Sequence, residues 1–392
     1  MKFSLFRFML FLITGCSLLP ARTFAQQTGC KLQISLLTCG PGDELYATFG
    51  HSAVRVYDSL SRNDYVFNYG TFDFDDPHFY EKFIRGKLLY SLSAEDFRSQ
   101  IGEWQEENRK VTEQVLDLSC EEKEVLWQFL QTNYLPQNRF YKYDFVFDNC
   151  STRIRDIFTR TFDNHWKTAN VLPQKEISFR QIINQYLAEK PWEKLGINLL
   201  FGKRMDKRMN DTNIMFLPDF LMKGIAHSSL NGKPFVRRTA VLYLPTGISG
   251  KNSFQLTPLF LFMVCCGILI ILSFSKRRKL WQFLSWADRF LFFITGLLGC
   301  FMLFMWIGTD HQVCKWNLNL LWALPTHLIF SFFTDKRTSW VKGYAAFTAL
   351  TGILLLISWY FLPQELPTAV LPFLILLILR GYRIYTRPAP AW

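Results

Sequence analysis

From Leu256 onward the chain carries five apolar runs, at about 256–274, 288–308, 316–333, 343–363 and 366–383. Each is close to the roughly 20 residues that an α-helix needs to cross a bilayer. In lipid every backbone polar group must be paired inside its own segment, so the reading for 251–392 is an all-α five-helix transmembrane domain. The segments "SKRRK" and "TDKRTSWVK" and the tail "RGYRIYTRPAPAW" are basic, whereas "TDHQVCKWN" and "PQELP" are not. The positive-inside rule places the basic segments in the cytoplasm and everything before the first run outside it. The net charge of +12 is therefore a topology signal; no nucleic-acid motif accompanies it, and no nucleic-acid partner is expected. Pro325 and His327 mark the third run as a broken or tilted helix. An ionisable residue inside a span is either functional or held by a hydrogen bond, and His327 admits both readings.

The first 25 residues, "MKFSLFRFMLFLITGCSLLPARTFA", combine Lys2 and Arg7 with an apolar core and a small residue at Ala25. That is a signal peptide (1–25). A rival reading takes "ITGC" as a lipobox with Cys16 lipidated; in both cases the domain over 26–250 is exported. Its cysteines, Cys30, Cys39, Cys120 and Cys150, face an oxidising compartment, and a Cys30–Cys120 disulfide is compatible with that setting. No CxxC or Cys/His ligand spacing is present, so neither a metal nor a cofactor is expected.

Over 26–250 the pattern is α+β. "LQISLLTCG", "SAVRVYDS" and "YVFNYGTFDF" alternate as strands do, whereas "SAEDFRSQIGEWQEENRK" and "SCEEKEVLWQFLQTNY" read as helices. Ser93 and Ser119 are their expected N-caps, with Glu122 completing a capping box for the second. "LPTGISGKNSFQLTP" is a linker.

One stretch carries chemistry. In "FDNCSTRIRDIF" the residues Cys150, Ile154, Ile157 and Phe158 share one helical face, with the cysteine in the first turn. An inert core thiol fits that position. A nucleophile fits it equally, because unpaired N–H groups and the dipole at a helix N-terminus stabilise a thiolate. A thiolate nucleophile needs a base, and the chain has six histidines. His51 opens a strand after a Gly-rich turn; His78, His165 and His227 lie in polar segments and read as surface residues.

The order "TFGHSAVRV" and then, about a hundred residues on, "FDNCSTRIRD" resembles circularly permuted papain-like families, the NlpC-like hydrolases and lecithin:retinol acyltransferase-like proteins. Together with "YVFNYGTFDF", "YKYDFVFDNCSTRIRD", "LLFGKRMD", "MFLPDFL" and "TDHQVCKWNLNLLWALP", it resembles more closely the Bacteroidota lipoprotein N-acyltransferase family. That resemblance implies a permuted papain-like periplasmic domain and an inner-membrane, multi-pass location. It makes Cys150 the nucleophile and His51 its base. Asn68 would orient the imidazole; Tyr143 and Asn149, with Asp148 as runner-up, would support an oxyanion site. Arg153 and Arg155 are either lipid-phosphate contacts or a solvated face. Asp310, His311 and Asn317, on the same side of the membrane, would bind substrate. The implied partners are the membrane, a phospholipid acyl donor and a diacylated lipoprotein acceptor. Two other outcomes stay open: a membrane-anchored cysteine hydrolase of lipids or peptidoglycan, and a non-catalytic envelope sensor or assembly factor.

Overall fold

The computed structural model describes residues 30–173, 176–246, 256–275 and 277–387. The signal-peptide reading and most of the linker fall outside those residues.

From Leu32 the chain first builds a seven-stranded antiparallel sheet. Its strands in chain order are β1 (Leu32–Cys39), β2 (His51–Asp58), β3 (Asp64–Thr71), β4 (Leu89–Asp96), β5 (Val111–Leu116), β6 (Phe140–Lys142) and β7 (Val236–Tyr243). Their order across the sheet is β7-β5-β1-β2-β3-β4-β6. The period-2 alternation of strands sorts the side chains to two faces. Ile34, Leu36, Val54, Val56 and Phe67 join one core, together with helices α3 (Cys120–Tyr134) and α4 (Cys150–Phe162). Leu37, Cys39, Ala53 and Val66 join a second, smaller core around Trp104 of α2 (Phe97–Glu106). Helix α1 (Phe79–Ile84) lies between β3 and β4.

The three strands expected from alternation form as read, and β2 and β3 pair antiparallel. Ser119 caps α3 with Glu122 in a reciprocal capping box. Ser93 does not cap α2. Strand β4 runs on through Asp96, and the Asp96 carboxylate accepts from the N–H groups of Arg98 and Ser99. Pairing of β4 with β3, with Asn68 opposite Ser93, outweighs the local capping preference of a serine.

After α7 (Pro218–Ala226), four helices among the described residues of the apolar region are continuous: α8 (Pro258–Ser273), α9 (Arg278–Ile307), α11 (Ser339–Ser358) and α12 (Leu371–Tyr385). Three helices among the described residues are long and apolar enough to span a membrane; α8 is shorter. The third run is interrupted, as its proline suggests. It consists of a 3-10 turn at Leu318–Leu321, a short helix α10 (Thr326–Phe330) and another turn at Ser331–Phe333. Of the two readings of this run, broken or tilted, the structure shows the broken one. Its polar interruption is internally paired: Asn319 accepts from Trp322 Nε1 at 3.1 Å, and His327 Nδ1 accepts from the Tyr344 hydroxyl at 2.8 Å.

The ends of these segments sort into two groups. Asp288 accepts from Arg380 (2.5 and 2.9 Å) and from Arg387 (2.9 Å), Arg289 pairs with Asp335 at 2.6 Å, and Arg387 reaches the Thr334 carbonyl at 2.7 Å. The basic connections therefore meet at one end. The opposite end is sewn to the sheet domain. Helix α6 (Pro191–Leu200) and the turn after it are held by Gly202 N–H to Val313 C=O (2.9 Å) and Gln364 Nε2 to Phe201 C=O (3.0 Å). The Arg180 side chain of α5 (Phe179–Tyr186), 1% exposed, ties that turn from the other side through Asp206, Asn198 and the carbonyls of Phe201 and Gly202. A buried guanidinium is tolerable only when its donors are satisfied this fully.

Candidate active site

His51 and Cys150 come from opposite sides of the sheet and meet at the start of β2. Alternation puts Ser52 on the α4 side and His51 on the α2 side, where its ring lies 6.1 Å from that of Trp104. Gly50, with φ +78°, makes the turn into β2, and a Cβ there would come within 2.7 Å of the Cys39 carbonyl. Cys150 is the first residue of α4, where Asn149 is the N-cap. Asn149 Oδ1 accepts from Thr152 N–H at 2.9 Å, and the Thr152 hydroxyl accepts from Asn149 N–H at 2.7 Å. This reciprocal cap fixes the point at which the helix begins, and with it the thiol.

His51 and Cys150 are hydrogen-bonded to each other. His51 Nε2 donates to Asn68 Oδ1 at 3.2 Å, which leaves Nδ1 for the sulfur. The relay continues outward: Asn68 Nδ2 donates to Gln100 Oε1 at 2.6 Å, and Gln100 Nε2 to Glu103 Oε2 at 3.0 Å. Burial, the largest influence on the Cys150 thiol, opposes its ionisation. The charge and hydrogen bond of His51, the Ser52 backbone N–H and the Ser151 hydroxyl outweigh it and lower the pKa below the ordinary value. Burial likewise opposes charge on His51, and Cys150 and Asn68 together raise its pKa despite the nearby Arg109. Both shifts favour the thiolate–imidazolium form, the activated state of a cysteine nucleophile.

The other residues expected at the site fall into three groups. Tyr143 lines the cavity above the thiol and stacks on Tyr90 at 4.5 Å between centroids. Burial and then the Cys150 charge push its pKa well above normal, so it keeps its proton and stays a donor. Asn149 has no donor left for an oxyanion, because its Nδ2 is held by the carbonyls of Phe145 (2.8 Å) and Phe216 (2.9 Å); its place is that of a cap. Asp148 binds Arg153 through both oxygens, at 2.5 and 2.7 Å, and Arg155 pairs with Asp156. His311 lines the same cavity as Cys150, with Nε2 near the carbonyls of Phe83 and Ile84 (3.1 Å each). Asp310 is ion-paired with Lys142 at 2.9 Å. Asn317, 1% exposed, bonds the carbonyls of Leu199 and Leu200 in the seam. Asp310 and Asn317 therefore join the two halves of the molecule, and the structure does not bring them to the cavity. His78, His165 and His227 are exposed.

Sequence reasoning missed Ser52 and Ser151, whose hydroxyls meet at 3.1 Å in the buried junction of β2 and α4. Each directly follows one member of the Cys150–His51 pair, so this contact locks the two backbones together. It also missed Gln100 and Glu103, whose signal was a polar face on a helix already recognised, and Arg109, which follows the turn after α2.

Cys150 and His51 open into an apolar cavity of about 440 Å³, within the range of small-molecule sites. Its walls include Phe49, Phe145, Phe216 and Leu217, and it extends to Ile197, Phe201 and Val313 at the seam with the apolar helices. A long hydrocarbon chain suits such walls.

Residues 23–185 match the Lnb N-terminal periplasmic domain, and residues 249–387 match the Lnb transmembrane domain. The chain belongs to the Lnb (lipoprotein N-acyltransferase) family. The Lnb architecture makes it a membrane protein with a periplasmic N-terminal domain. Among curated proteins and among solved structures, nothing matches. Cys150 and His51 lie inside the Lnb periplasmic match; the seam helix α6 and strand β7 lie between the two matches.

Proposed function

We propose that the protein is a lipoprotein N-acyltransferase of the inner membrane, with its catalytic domain in the periplasm and its basic connections in the cytoplasm. The observation that carries this reading is the Cys150–His51 pair set at the head of an apolar cavity that reaches the membrane seam. The reaction has two steps. The Cys150 thiolate attacks an ester carbonyl of a phospholipid. The oxyanion is held by N–H groups at the start of α4, which lack partners within the helix, and by the Tyr143 hydroxyl. His51 gives its proton to the departing lysolipid oxygen, leaving a thioester and a neutral imidazole. The α-amine of a diacylglyceryl-cysteine then attacks the thioester, His51 takes a proton, and the thiolate leaves as the amide forms. Asn68 keeps the imidazole in register through both steps.

The acyl chain stays in the apolar cavity while it is carried, so it never crosses water. In cells that depend on this chain, Cys150→Ala would leave lipoprotein N-termini diacylated. Mass spectrometry of those termini tests this, and fully triacylated lipoproteins in the variant would refute it. A hydrolase would instead release free fatty acid.

A further inference from the structure

His51 borders a second cavity, of about 240 Å³. Tyr46, Gly50, His51 and Gly70 line both cavities, but the second lies on the α2 side of the sheet and its character is reversed. Its walls carry Glu95, Glu103, Glu107 and Arg109 together with Asn68 and Gln100. Gly70, at φ +98°, presents no side chain to either cavity. Arg109 is 5% exposed; its Nη1 pairs with Glu107 at 2.7 Å and its Nε with the Gly40 carbonyl at 2.9 Å. Its Nη2 is buried and has no partner among the described residues. Glu95 accepts from the Ser93 hydroxyl (3.1 Å) and Glu103 from the Gln100 amide (3.0 Å), and neither forms an ion pair among the described residues. The Glu107–Arg109 pair cancels, which leaves the Glu95 and Glu103 carboxylates in the cavity wall without a cation among the described residues.

We propose that this cavity receives the amino terminus of the acceptor peptide. The carboxylates of Glu95 and Glu103 hold the α-ammonium beside His51. This rests on the acyl-transfer reading and assigns the two substrates to opposite faces of one sheet. The acyl chain lies on the α4 side, the peptide on the α2 side, and His51 stands between them. In the second step the ammonium releases one proton to water through the polar cavity, and the neutral amine then attacks the thioester. His51 accepts the second proton as the C–N bond forms and the C–S bond breaks, which regenerates the thiolate–imidazolium pair.

The test uses the full chain in detergent micelles with phosphatidylethanolamine as donor and a synthetic diacylglyceryl-cysteinyl peptide bearing a free α-amine. The readout is the ratio of amide to free fatty acid, so that water serves as the internal reference acceptor. Glu95→Lys stands outside the Asn68–Gln100–Glu103 relay and leaves the buried Arg109 in place. It should lower the ratio about tenfold and raise the KM for the peptide; Glu95→Gln with Glu103→Gln should do the same more weakly. An unchanged ratio in all of these variants overturns the subsite while leaving the transferase intact. Fatty acid as the only product of the unmodified chain removes the transferase reading and the subsite with it.

Discussion

Cys39 and Cys150 stand on either side of the same histidine. Cys39 is opposite His51 in the β1–β2 register and 0% exposed; Cys150 is 7% exposed and hydrogen-bonded to it. Burial pushes the Cys39 thiol up to about 12, and the nearby Arg109 does not reverse that. The same burial acts on Cys150, yet its pKa falls, because His51, the Ser52 N–H and the Ser151 hydroxyl all favour the thiolate. Burial alone does not make a cysteine inert. What decides is whether donors are aimed at the sulfur.

Replacing the two thiols gives the largest contrast. Cys150→Ala should lower acyl transfer by about 10³-fold or more, whereas Cys39→Ala should retain activity and show its cost as a lowered melting temperature. Turnover and thermal unfolding of the purified variants check both. Next in size is His51→Gln, which removes the charge that holds the thiolate. At neutral pH, iodoacetamide should alkylate Cys150 in the unmodified chain much faster than Cys39, and the difference should shrink in the variant.

The pH profile sharpens the contrast further. The reactive pair exists above the lowered Cys150 value and below the raised His51 value, so the acylation rate should climb through the first and fall through the second. Asn68 supports the imidazolium, so Asn68→Ala should move the alkaline limb to lower pH and cost roughly 10- to 100-fold in rate. Ser151→Ala has the smallest expected effect on chemistry. It leaves the Ser52 hydroxyl buried without its partner, at about 1–3 kcal/mol of stability, measurable by denaturant unfolding.

Much of this was legible in the residues. Alternation located β1, β2 and β3, a cysteine at the start of an apolar helical face located the head of α4, and Pro325 located the break in the third apolar run. Asn68 was legible because its strand had to pair with that of His51. What escaped depends on contacts that no local pattern encodes. Ser52 and Ser151 are 99 positions apart and meet only when α4 lies across β2. Asn149 looked like an oxyanion donor by adjacency, but the Phe216 carbonyl, 67 positions away, takes its amide. Asp310 and Asn317 looked like substrate ligands because polar residues at a membrane boundary often are. Here their partners are the sheet domain itself, and they hold it against the membrane segments.

The central claim is that Cys150 carries the acyl group as a thioester. Peptide mass spectrometry of the full chain after incubation with phospholipid, without acceptor, tests it most directly. The expected result is one fatty-acyl adduct on the Cys150 peptide, released by hydroxylamine and missing in His51→Gln. An adduct on another cysteine, or transfer to the lipopeptide with Cys150 unmodified throughout, would contradict the account.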